Sequence, residues 1–319
     1  MLLFSLDPDS AFPPALAAAL DASLSPLEDR SFEDGEHKLR PLVDPRGADA
    51  YVILSLHGGP SQSPHDKLFR LLAFSATLRE HGAARVTAVV PYLAYARKDR
   101  QTKPFDSVTL RCVAQLVESV GVAQIIVLEA HNVAAFQNAF RCTTLHLEAH
   151  RAFDPVIPEL VGEGKLAVAS PDPGGVKRAQ LWRESLVQQL SIPVGFALID
   201  KRRSAGVISS ENLLAGDVQG STVLLLDDLI ASGQTMQRAA QALRDAGARD
   251  VIACAAHGLF IEPAAEVLAD AAISRILVSD SVPPFRLPAA GPARRKLHVV
   301  SSVPLFARAI RECRDSWRR

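Results

Sequence analysis

The stretch 223-VLLLDDLIASGQT-235 places four apolar residues directly before two adjacent carboxylates and a turn of small and hydroxyl-bearing residues. The apolar run predicts a buried strand. The following segment, 235–248, has the pattern of a helix that begins beside Thr235 and ends at Gly247. Two like charges at the end of a buried strand are costly. We therefore expect a positive group or a polyol to lie beside them.

The same alternation of strand and helix continues through most of the chain. Helical patterns, such as residues 66–82, separate the apolar runs, and several of these runs have the β-branched character of parallel strands covered on both faces. The sequence therefore predicts an α/β protein with mainly parallel sheets. The predicted strands are residues 51–56, 85–93, 124–130, 166–170, 194–200, 221–228, 250–258, 274–280 and 297–301.

The length of 319 residues is long for one hydrophobic core and sufficient for two domains. A helix that ends in small residues and Gly before a strand occurs in each half, at HGAAR and at AGARD. We therefore expect domains at 1–149 and 150–303, with residues 304–319 forming a short amphipathic helix that packs on the first. The Pro- and Gly-rich segment 283–296 is predicted to be a surface loop.

Composition argues against several classes of protein. The 35 basic and 35 acidic residues give a formal net charge of zero, so nothing indicates a nucleic-acid or membrane-surface partner. The first residues, MLLFSLDPDS, lack the features of a signal peptide, and no apolar run is long enough to span a membrane. The four cysteines lack C-x-x-C spacing, which predicts reduced thiols in a cytoplasmic protein and neither disulfides nor a zinc site.

Asp227 and Asp228 are predicted to lie at the carboxyl end of their strand, where open α/β sheets bind ligands. Paired carboxylates can accept hydrogen bonds from two neighbouring hydroxyls. The backbone N–H groups of 231–235 and the hydroxyls of Ser232 and Thr235 can hold a phosphate at the start of the helix. A ribose 5-phosphate has both features. The alternative is a helix N-cap preceded by two solvated aspartates.

Two further candidate sites also follow predicted strands. In 169-ASPDPGGVKRAQ-180 the glycines allow close backbone approach to a phosphate, and Asp172 can hold a divalent cation; alternatively, this segment is an ordinary turn. His131, in 127-VLEAHN-132, can coordinate a metal or pair with Glu129. The alternative for this histidine is a structural role.

Two basic segments follow other strands. In 91-PYLAYARKDRQTKP-104, tyrosines beside basic residues make a nucleotide polyphosphate contact plausible, and the alternative is a solvated loop. The segment 200-DKRRSAGVISSEN-212 has no helical or strand periodicity, which favours a mobile loop that closes over a transferring phosphoryl group. Its alternative is a flexible surface loop without a role. The chain lacks a G-x-x-x-x-G-K-[ST] loop and the protein-kinase motifs, so any ATP is held differently.

Taken in order, these segments resemble those of the ribose-phosphate diphosphokinases, the family that makes 5-phosphoribosyl 1-diphosphate (PRPP). The resemblance covers about residues 30–305. The N-terminal half contributes SFEDGE, similar to F-x-D-G-E, PYLAYARKDR, similar to P-Y-x-x-Y-A-R-Q-D-R, and EAHN, similar to D-L-H-A. The C-terminal half contributes SPDPGG, similar to S-P-D-x-G-G, IDKRR, similar to the start of the catalytic flexible loop, LLLDDLIASGQT, similar to D-D-M-I-D-T-G-G-T, and AAHGLF, similar to A-T-H-G-L-F.

This resemblance implies two tandem phosphoribosyltransferase-like, Rossmann-like domains, the first on the ATP side and the second on the ribose 5-phosphate side. It implies Mg²⁺-dependent transfer of the diphosphoryl group of ATP to the C1 hydroxyl of ribose 5-phosphate, leaving AMP. It also implies a homo-oligomer whose active site is shared, with Asp34 and Glu36 reaching the adenosine of a neighbouring subunit. The implied site residues are Lys201 and Arg203 for catalysis; Phe32, Asp34, Glu36, Arg97, Lys98 and Asp99 for ATP; Asp227, Asp228, Ser232, Gly233, Gln234 and Thr235 for ribose 5-phosphate; and His131 and Asp172 for Mg²⁺.

Four residues depart from the family pattern. Ala231 stands where the loop usually has Asp, Gln234 replaces its second Gly, Lys98 replaces a Gln, and Glu129 replaces an Asp. These departures indicate a divergent branch and leave nucleotide selectivity and regulation open.

Two other functions compete with this interpretation. A phosphoribosyltransferase that consumes PRPP has a loop that accommodates Ala231, and a non-catalytic, synthetase-like regulatory subunit would bind partners or nucleotides. The segments EAHN, SPDPGG and DKRR favour the synthetase, since a phosphoribosyltransferase does not need them.

Overall fold

The computed structural model describes residues 1–162, 164–204 and 207–317, apart from the side chains of residues 200–213 and 316–317. The strands of these residues are β1 (Leu2–Ser5), β2 (Leu27–Ser31), β3 (His37–Pro41), β4 (Asp49–Ile53), β5 (Arg85–Val90), β6 (Gln124–Leu128), β7 (Thr143–Leu147), β8 (Lys165–Ser170), β9 (Val194–Ser204), β10 (Val207–Ala215), β11 (Ser221–Ile230), β12 (Asp250–Gly258), β13 (Arg275–Ser279) and β14 (Leu297–Val300).

The helices of the same residues alternate with these strands. They are α1 (Phe12–Ala19), α2 (Pro64–Glu80), α3 (Thr109–Ser119), α4 (Val133–Ala139), α5 (His150–Phe153), α6 (Ile157–Val161), α7 (Val176–Leu190), α8 (Gln234–Asp245), α9 (Ala264–Val267), α10 (Pro292–Lys296) and α11 (Val303–Trp317). Short 3-10 helices occur at Asp154–Val156 and Pro173–Gly175. In the part of the chain that is described, no helix is long and apolar enough to cross a membrane.

The chain divides into two compact units. The first is Met1–Glu148 together with the C-terminal segment from Ser302, and the second is Ala149–Ser301. In the first unit, a parallel sheet has the strand order β1-β4-β5-β6-β7. The strands β5 and β6 are almost entirely buried, as expected for parallel strands that are covered on both faces.

Two further elements belong to the first unit. The strands β2 and β3 form a separate antiparallel hairpin, and an ion pair between Arg70 of α2 and Asp29 of β2 attaches this hairpin to the helix. The helix α11 packs against α1, where the rings of Phe12 and Phe306 meet edge to face with their centroids 5.2 Å apart. Arg311 adds a hydrogen bond to the carbonyl oxygen of Ala19.

The second unit contains a sheet with the order β10-β9-β8-β11-β12-β13-β14. The pair β9 and β10 is antiparallel, and the other neighbours are parallel. From β8 the chain goes to β9 on one side and later returns to β11 on the other side. The topological switch point of this sheet therefore lies between β8 and β11, which is the place where open α/β sheets bind ligands.

The predicted α/β class and mainly parallel sheets are confirmed. All of the strands predicted from apolar runs are present, with end points that differ by up to four residues. The interpretation of 200–212 as a loop is wrong for the described backbone of this segment, which continues β9 and pairs it with β10. Backbone hydrogen bonds between the two antiparallel strands hold this pair together, so its polar sequence needs no apolar pattern. Within the predicted loop 283–296, the last five residues form α10.

Candidate active site

The paired aspartates lie at the open edge of the second unit's sheet. The pairing of β11 with β12 continues to Ile230, whereas its pairing with β8 ends at Leu225. Asp227 and Asp228 therefore follow the point where β8 leaves β11, and they lie at the switch-point crevice. This is the position that the apolar run before the two carboxylates predicts.

The two carboxylates are held close together and are largely buried. The backbone N–H of Asp228 donates to Oδ1 of Asp227 at 2.8 Å. Burial raises the pKa of Asp227 well above its ordinary value, and the neighbouring charge of Asp228 raises it further. Arg178 opposes this rise, because its Nη1 lies 4.0 Å from Oδ1 of Asp227. The site thus brings two acidic groups and a cation together in a largely buried position.

The turn after β11 has the geometry of an anion site. Gly233 has φ +80°, and a Cβ atom there would lie 2.8 Å from Cδ2 of Leu268, so a side chain at this position is strained. The helix α8 begins at Gln234, and among the described residues no side chain caps its first turn. Uncapped N–H groups at the start of a helix can bind a phosphate. Ser232 and Thr235 lie half-buried on either side.

The Asp172 loop, residues 171–175, links β8 to α7 at the same crevice. Oδ1 of Asp172 accepts a hydrogen bond from the N–H of Gly175 at 3.1 Å, and the hydroxyl of Ser170 donates to the carbonyl oxygen of Asp172 at 2.6 Å. A Cβ atom on Gly175 would lie 2.6 Å from Oγ of Ser170, so the close packing requires glycine. Arg178, in the first turn of α7, connects this loop with Asp227.

In the first unit, the basic segment after β5 forms an ordered loop. Tyr95 adopts φ +65°, and Arg97 is exposed. The ammonium of Lys98 donates to Oδ2 of Asp106 at 2.9 Å, and the same oxygen accepts the hydroxyl and the N–H of Thr102 at 2.7 and 3.1 Å. These bonds lower the pKa of Asp106, first of all through Lys98. We call residues 95–106 the basic loop.

The turn after β6 lies beside the basic loop. Nδ2 of Asn132 donates to Oδ2 of Asp99 at 2.9 Å, and Oδ1 of Asn132 accepts from the N–H of Ala135 at 3.1 Å, which caps α4. His131 is exposed at this turn. Glu129 is buried with φ +42°, and its N–H donates to the carbonyl oxygen of Leu147.

The loop of the β2–β3 hairpin carries the other residues predicted to bind ATP. The Phe32 side chain is 41% exposed, and the guanidinium carbon of Arg30 lies 4.8 Å from the centre of its ring. The N–H of Glu36 donates to Oδ1 of Asp34 at 3.1 Å, and the N–H of Phe32 donates to the carbonyl oxygen of Glu36 at 2.7 Å. The loop therefore presents an aromatic ring and two carboxylates to solvent from a compact turn.

The structure thus arranges the predicted residues in separate groups. The second unit brings the Asp172 loop together with Asp227, Asp228 and the turn 231–235. The first unit brings the basic loop together with the turn of His131 and, as a separate group, presents the hairpin loop. The backbone of Lys201 and Arg203 lies in β9, and their side chains lie outside the described residues.

The sequence analysis did not single out Arg178 or Asn132. Arg178 lies three residues after Gly175, in the first turn of a helix, and this spacing was a signal that its side chain can turn back toward the preceding loop. Asn132 stands immediately before α4, which is the ordinary position of an N-cap asparagine. Its second bond to Asp99 has no signal in the sequence, because the partners are 33 residues apart.

Comparison with known proteins gives matches in both units. The model for the N-terminal domain of ribose phosphate pyrophosphokinase matches residues 1–121, and the model for the phosphoribosyl transferase domain matches residues 148–277. The chain is 34% identical to the ribose-phosphate pyrophosphokinase of Helicobacter hepaticus, covering 97% of this chain and 94% of that one. For the ribose-phosphate pyrophosphokinase of Gloeobacter violaceus, the identity is 33% and the coverage is 97% and 88%.

A solved structure is similar over the whole length. The crystal structure of phosphoribosylpyrophosphate synthetase from Mycobacterium smegmatis has a TM-score of 0.85 and 31% sequence identity, and the match covers 99% of each chain.

Proposed function

This chain belongs to the ribose-phosphate pyrophosphokinase family, and we propose on that basis how its residues carry out the family's reaction. The protein is an enzyme that transfers the diphosphoryl group of ATP to the C1 hydroxyl of ribose 5-phosphate, which forms PRPP and AMP for nucleotide biosynthesis. The similarities give no support to the alternatives of a PRPP-consuming transferase or a non-catalytic subunit. ATP and ribose 5-phosphate are cytoplasmic metabolites, so we place the enzyme in the cytoplasm.

One observation carries the assignment of the sugar site: the paired carboxylates and the uncapped helix start lie in succession at the switch-point crevice. Asp227 and Asp228 accept hydrogen bonds from the ribose hydroxyls. The turn 231–235 binds the 5-phosphate through its N–H groups and the hydroxyls of Ser232 and Thr235, with Gly233 and Gln234 completing the turn. In this arrangement the C1 hydroxyl of the ribose is left to attack the β-phosphorus of ATP.

The basic loop and the hairpin loop are proposed to bind ATP. Arg97, Lys98 and Asp99 contact the nucleotide, with Arg97 binding its phosphates. Phe32, Asp34 and Glu36 contact the adenosine of a neighbouring subunit in a homo-oligomer. The exposed ring of Phe32 and the two carboxylates of the hairpin loop support this role, because an adenine can stack on an aromatic ring and a ribose can donate to carboxylates.

Mg²⁺ fits the residues present. Among the described residues, no group of three or more His, Cys, Asp and Glu side chains could hold a metal ion by itself. Mg²⁺ often binds one or two carboxylates and completes its coordination with water and substrate phosphates. In the second unit the Asp172 carboxylate, oriented by the N–H of Gly175, is proposed as a ligand of Mg²⁺, and in the first unit the exposed imidazole of His131 is proposed separately as a Mg²⁺ ligand. When bound, the ion neutralises phosphate charge.

Lys201 and Arg203 are proposed as the catalytic cations. The C1 oxygen attacks the β-phosphorus, and the bond from that phosphorus to the bridging oxygen of AMP breaks. Cationic side chains stabilise the negative charge that is redistributed during phosphoryl transfer, and a single such group can contribute about 10³-fold or more in rate.

The proposal is tested by measuring AMP formation from ATP, Mg²⁺ and ribose 5-phosphate with purified protein. We expect AMP release that requires ribose 5-phosphate and a matching amount of PRPP. The Lys201→Ala variant is expected to lose about 10³-fold in kcat. The Lys165→Ala variant is the matched control. Lys165 is an exposed lysine at the first position of β8, so it lies at the opposite end of this strand from the proposed site.

Release of ADP in place of AMP, or consumption of PRPP with a nucleobase and no synthesis from ATP, would contradict the proposed reaction. Equal loss of activity in Lys165→Ala and Lys201→Ala would contradict the assigned role of Lys201.

A further inference from the structure

Asn132 uses both ends of its amide to join two elements of the first unit. Its Oδ1 accepts the N–H of Ala135 and caps α4, and its Nδ2 donates to Oδ2 of Asp99 in the basic loop. The chemistry of the partners fixes this orientation, because a backbone N–H can only donate and a carboxylate can only accept. One side chain thus connects the helix after β6 with the loop after β5.

The remainder of the basic loop is already organised from within. Oδ2 of Asp106 accepts the ammonium of Lys98 and the N–H groups of Thr102 and Lys103. The carbonyl oxygen of Lys98 accepts the N–H of Leu110, at the start of α3. These bonds fix the loop to α3 at one end. Two side-chain contacts attach the loop elsewhere: the hydroxyl of Tyr95 meets Nδ1 of His65 in α2, and Asn132 binds Asp99 on the side of the turn of His131.

An asparagine is unusually suited to this position. Aspartate caps helices as well as asparagine does, but an ionised aspartate has no donor to offer the carboxylate of Asp99. Serine has both an acceptor and a donor, but they share a single oxygen atom, whereas the amide of asparagine carries them on two separate atoms. The similar family segment, D-L-H-A, has Ala at the position of Asn132, and an alanine can neither cap the helix nor bind Asp99. The family pattern therefore does not predict this contact, which lies near two other departures of this chain, Lys98 and Glu129.

We propose that Asn132 is a positioning residue that holds Asp99, and with it the ATP-binding part of the basic loop, in place beside the turn of His131. The expected change in KM for ATP rests on the proposed function, whereas the expected change in the order of the loop rests on the geometry alone. Loss of the bond loosens residues 97–101, raises KM for ATP and has a smaller effect on kcat.

The variant Asn132→Asp separates the two bonds of Asn132. An aspartate keeps the cap of α4, because its carboxylate accepts the N–H of Ala135, and it repels the carboxylate of Asp99. We expect faster amide hydrogen exchange at 97–101, unchanged exchange in the first turn of α4, and a KM for ATP raised roughly three- to tenfold, as for loss of one partly exposed charge-assisted hydrogen bond.

A double-mutant cycle with Asp99→Asn completes the test. In the Asp99→Asn single variant the Oδ1 atom of the new amide still accepts from Asn132, and in the double variant with Asn132→Asp the new amide donates to the new carboxylate. Both variants keep a hydrogen bond between positions 132 and 99, so amide exchange at 97–101 should be slower in both than in Asn132→Asp. Activity should still be lower in both, because the charge of Asp99 is removed.

Exchange in Asn132→Asp at the wild-type rate would overturn the proposal, and so would equally fast exchange in Asn132→Asp and the double variant. An enzyme that makes no PRPP would contradict the proposed function but would leave the exchange measurement as a separate test of the link.

Discussion

The guanidinium of Arg178 lies 4.0 Å from the carboxylate of Asp227, and both side chains are less than a fifth exposed. Arg178 belongs to the first turn of α7, directly after the Asp172 loop, whereas Asp227 belongs to the end of β11. The loop proposed to bind Mg²⁺ and the carboxylates proposed to bind ribose are therefore joined by one cation. In a partly dry crevice this charge balances the paired aspartates.

Replacing Arg178 by Gln should weaken the binding of ribose 5-phosphate. Without the cation, the pKa of Asp227 rises further and its carboxylate is a poorer acceptor for the sugar hydroxyls. A partly buried charge that loses its partner costs about 1–3 kcal/mol, which corresponds to about 5- to 150-fold in KM for ribose 5-phosphate. Steady-state kinetics with both substrates varied measure this change, and KM for ATP should change less.

The matched control is Lys177→Gln, which removes an exposed positive charge from the adjacent position of α7. This variant should retain the wild-type KM. Comparable increases in the two variants would indicate a general electrostatic effect and would contradict a specific role of Arg178. Thermal unfolding of Arg178→Gln separates a loss of binding from a loss of fold.

The free protein should gain stability when Asp227 is replaced by Asn. Burial raises the folded-state pKa of Asp227, so its contribution to stability is fully present below the unfolded pKa of about 3.9 and is lost as the pH rises toward the folded-state pKa. Asn is neutral at every pH. The Tm of Asp227→Asn should therefore exceed the wild-type Tm at neutral pH, by roughly 2–4 °C for each kcal/mol.

The difference in Tm should shrink as the pH falls and should vanish below the unfolded pKa of about 3.9, where the carboxyl is protonated in both states. PRPP synthesis by the variant should be strongly reduced at every pH, because the neutral amide is a weaker acceptor for the ribose hydroxyls. A variant that is less stable than the wild type at neutral pH would contradict the pKa rise as the main effect at this position.

The sequence predicted the elements that are defined by continuous burial. The run before Asp227 was readable as a strand because both faces of β11 are covered, and the turn at Gly233 was readable from its small residues and the helix after it. The segments 169–180 and 223–235 were each readable as a candidate site after a strand, and the structure brings them to one crevice. Parallel strands carry their carboxyl ends to the same edge of a sheet.

Other features were not predictable, because they depend on contacts between distant residues. The hairpin of β2 and β3 is polar on most of its surface and is attached through Arg70, 41 residues from its partner Asp29. The backbone of β9 and β10 is stabilised by pairing at the sheet edge and not by an apolar pattern. The bonds of Asn132 to Asp99 and of Arg178 to Asp227 required knowledge of which strands are neighbours.

Replacing Asp106 by Ala should loosen the basic loop. The Oδ2 atom of Asp106 accepts hydrogen bonds from Lys98, Thr102 and the N–H of Lys103, and an alanine provides none of them. KM for ATP should rise roughly three- to tenfold, as expected for the loss of a few exposed hydrogen bonds. The release of Lys98 should also make the KM for ATP more sensitive to salt than in the wild type.

Glu80 provides a control for this loss of negative charge, because it is exposed at the end of α2, which leads to the start of β5 and so to the opposite end of this strand from the basic loop. Glu80→Ala should leave KM for ATP unchanged at all salt concentrations. An unchanged KM in Asp106→Ala would mean that the loop takes its binding conformation without Asp106.

Gly233→Ala should remove the binding of ribose 5-phosphate, whereas Gly220→Ala should not. Both glycines have positive φ, +80° and +69°, so each alanine should lower the free energy of unfolding by about 1–2 kcal/mol, because alanine disfavours a left-handed backbone. Only at Gly233 does the new Cβ meet a neighbour, since it would lie 2.8 Å from Cδ2 of Leu268, and no described heavy atom lies within 4 Å at Gly220. Because Leu268 is itself buried, we expect the turn 231–235 to shift and to displace the N–H groups proposed to bind the phosphate. Equilibrium binding of ribose 5-phosphate should show a loss of affinity only in Gly233→Ala. The Tm, measured on the same samples, should be lower in both variants. Equal affinity in the two variants would contradict the phosphate-binding role of this turn.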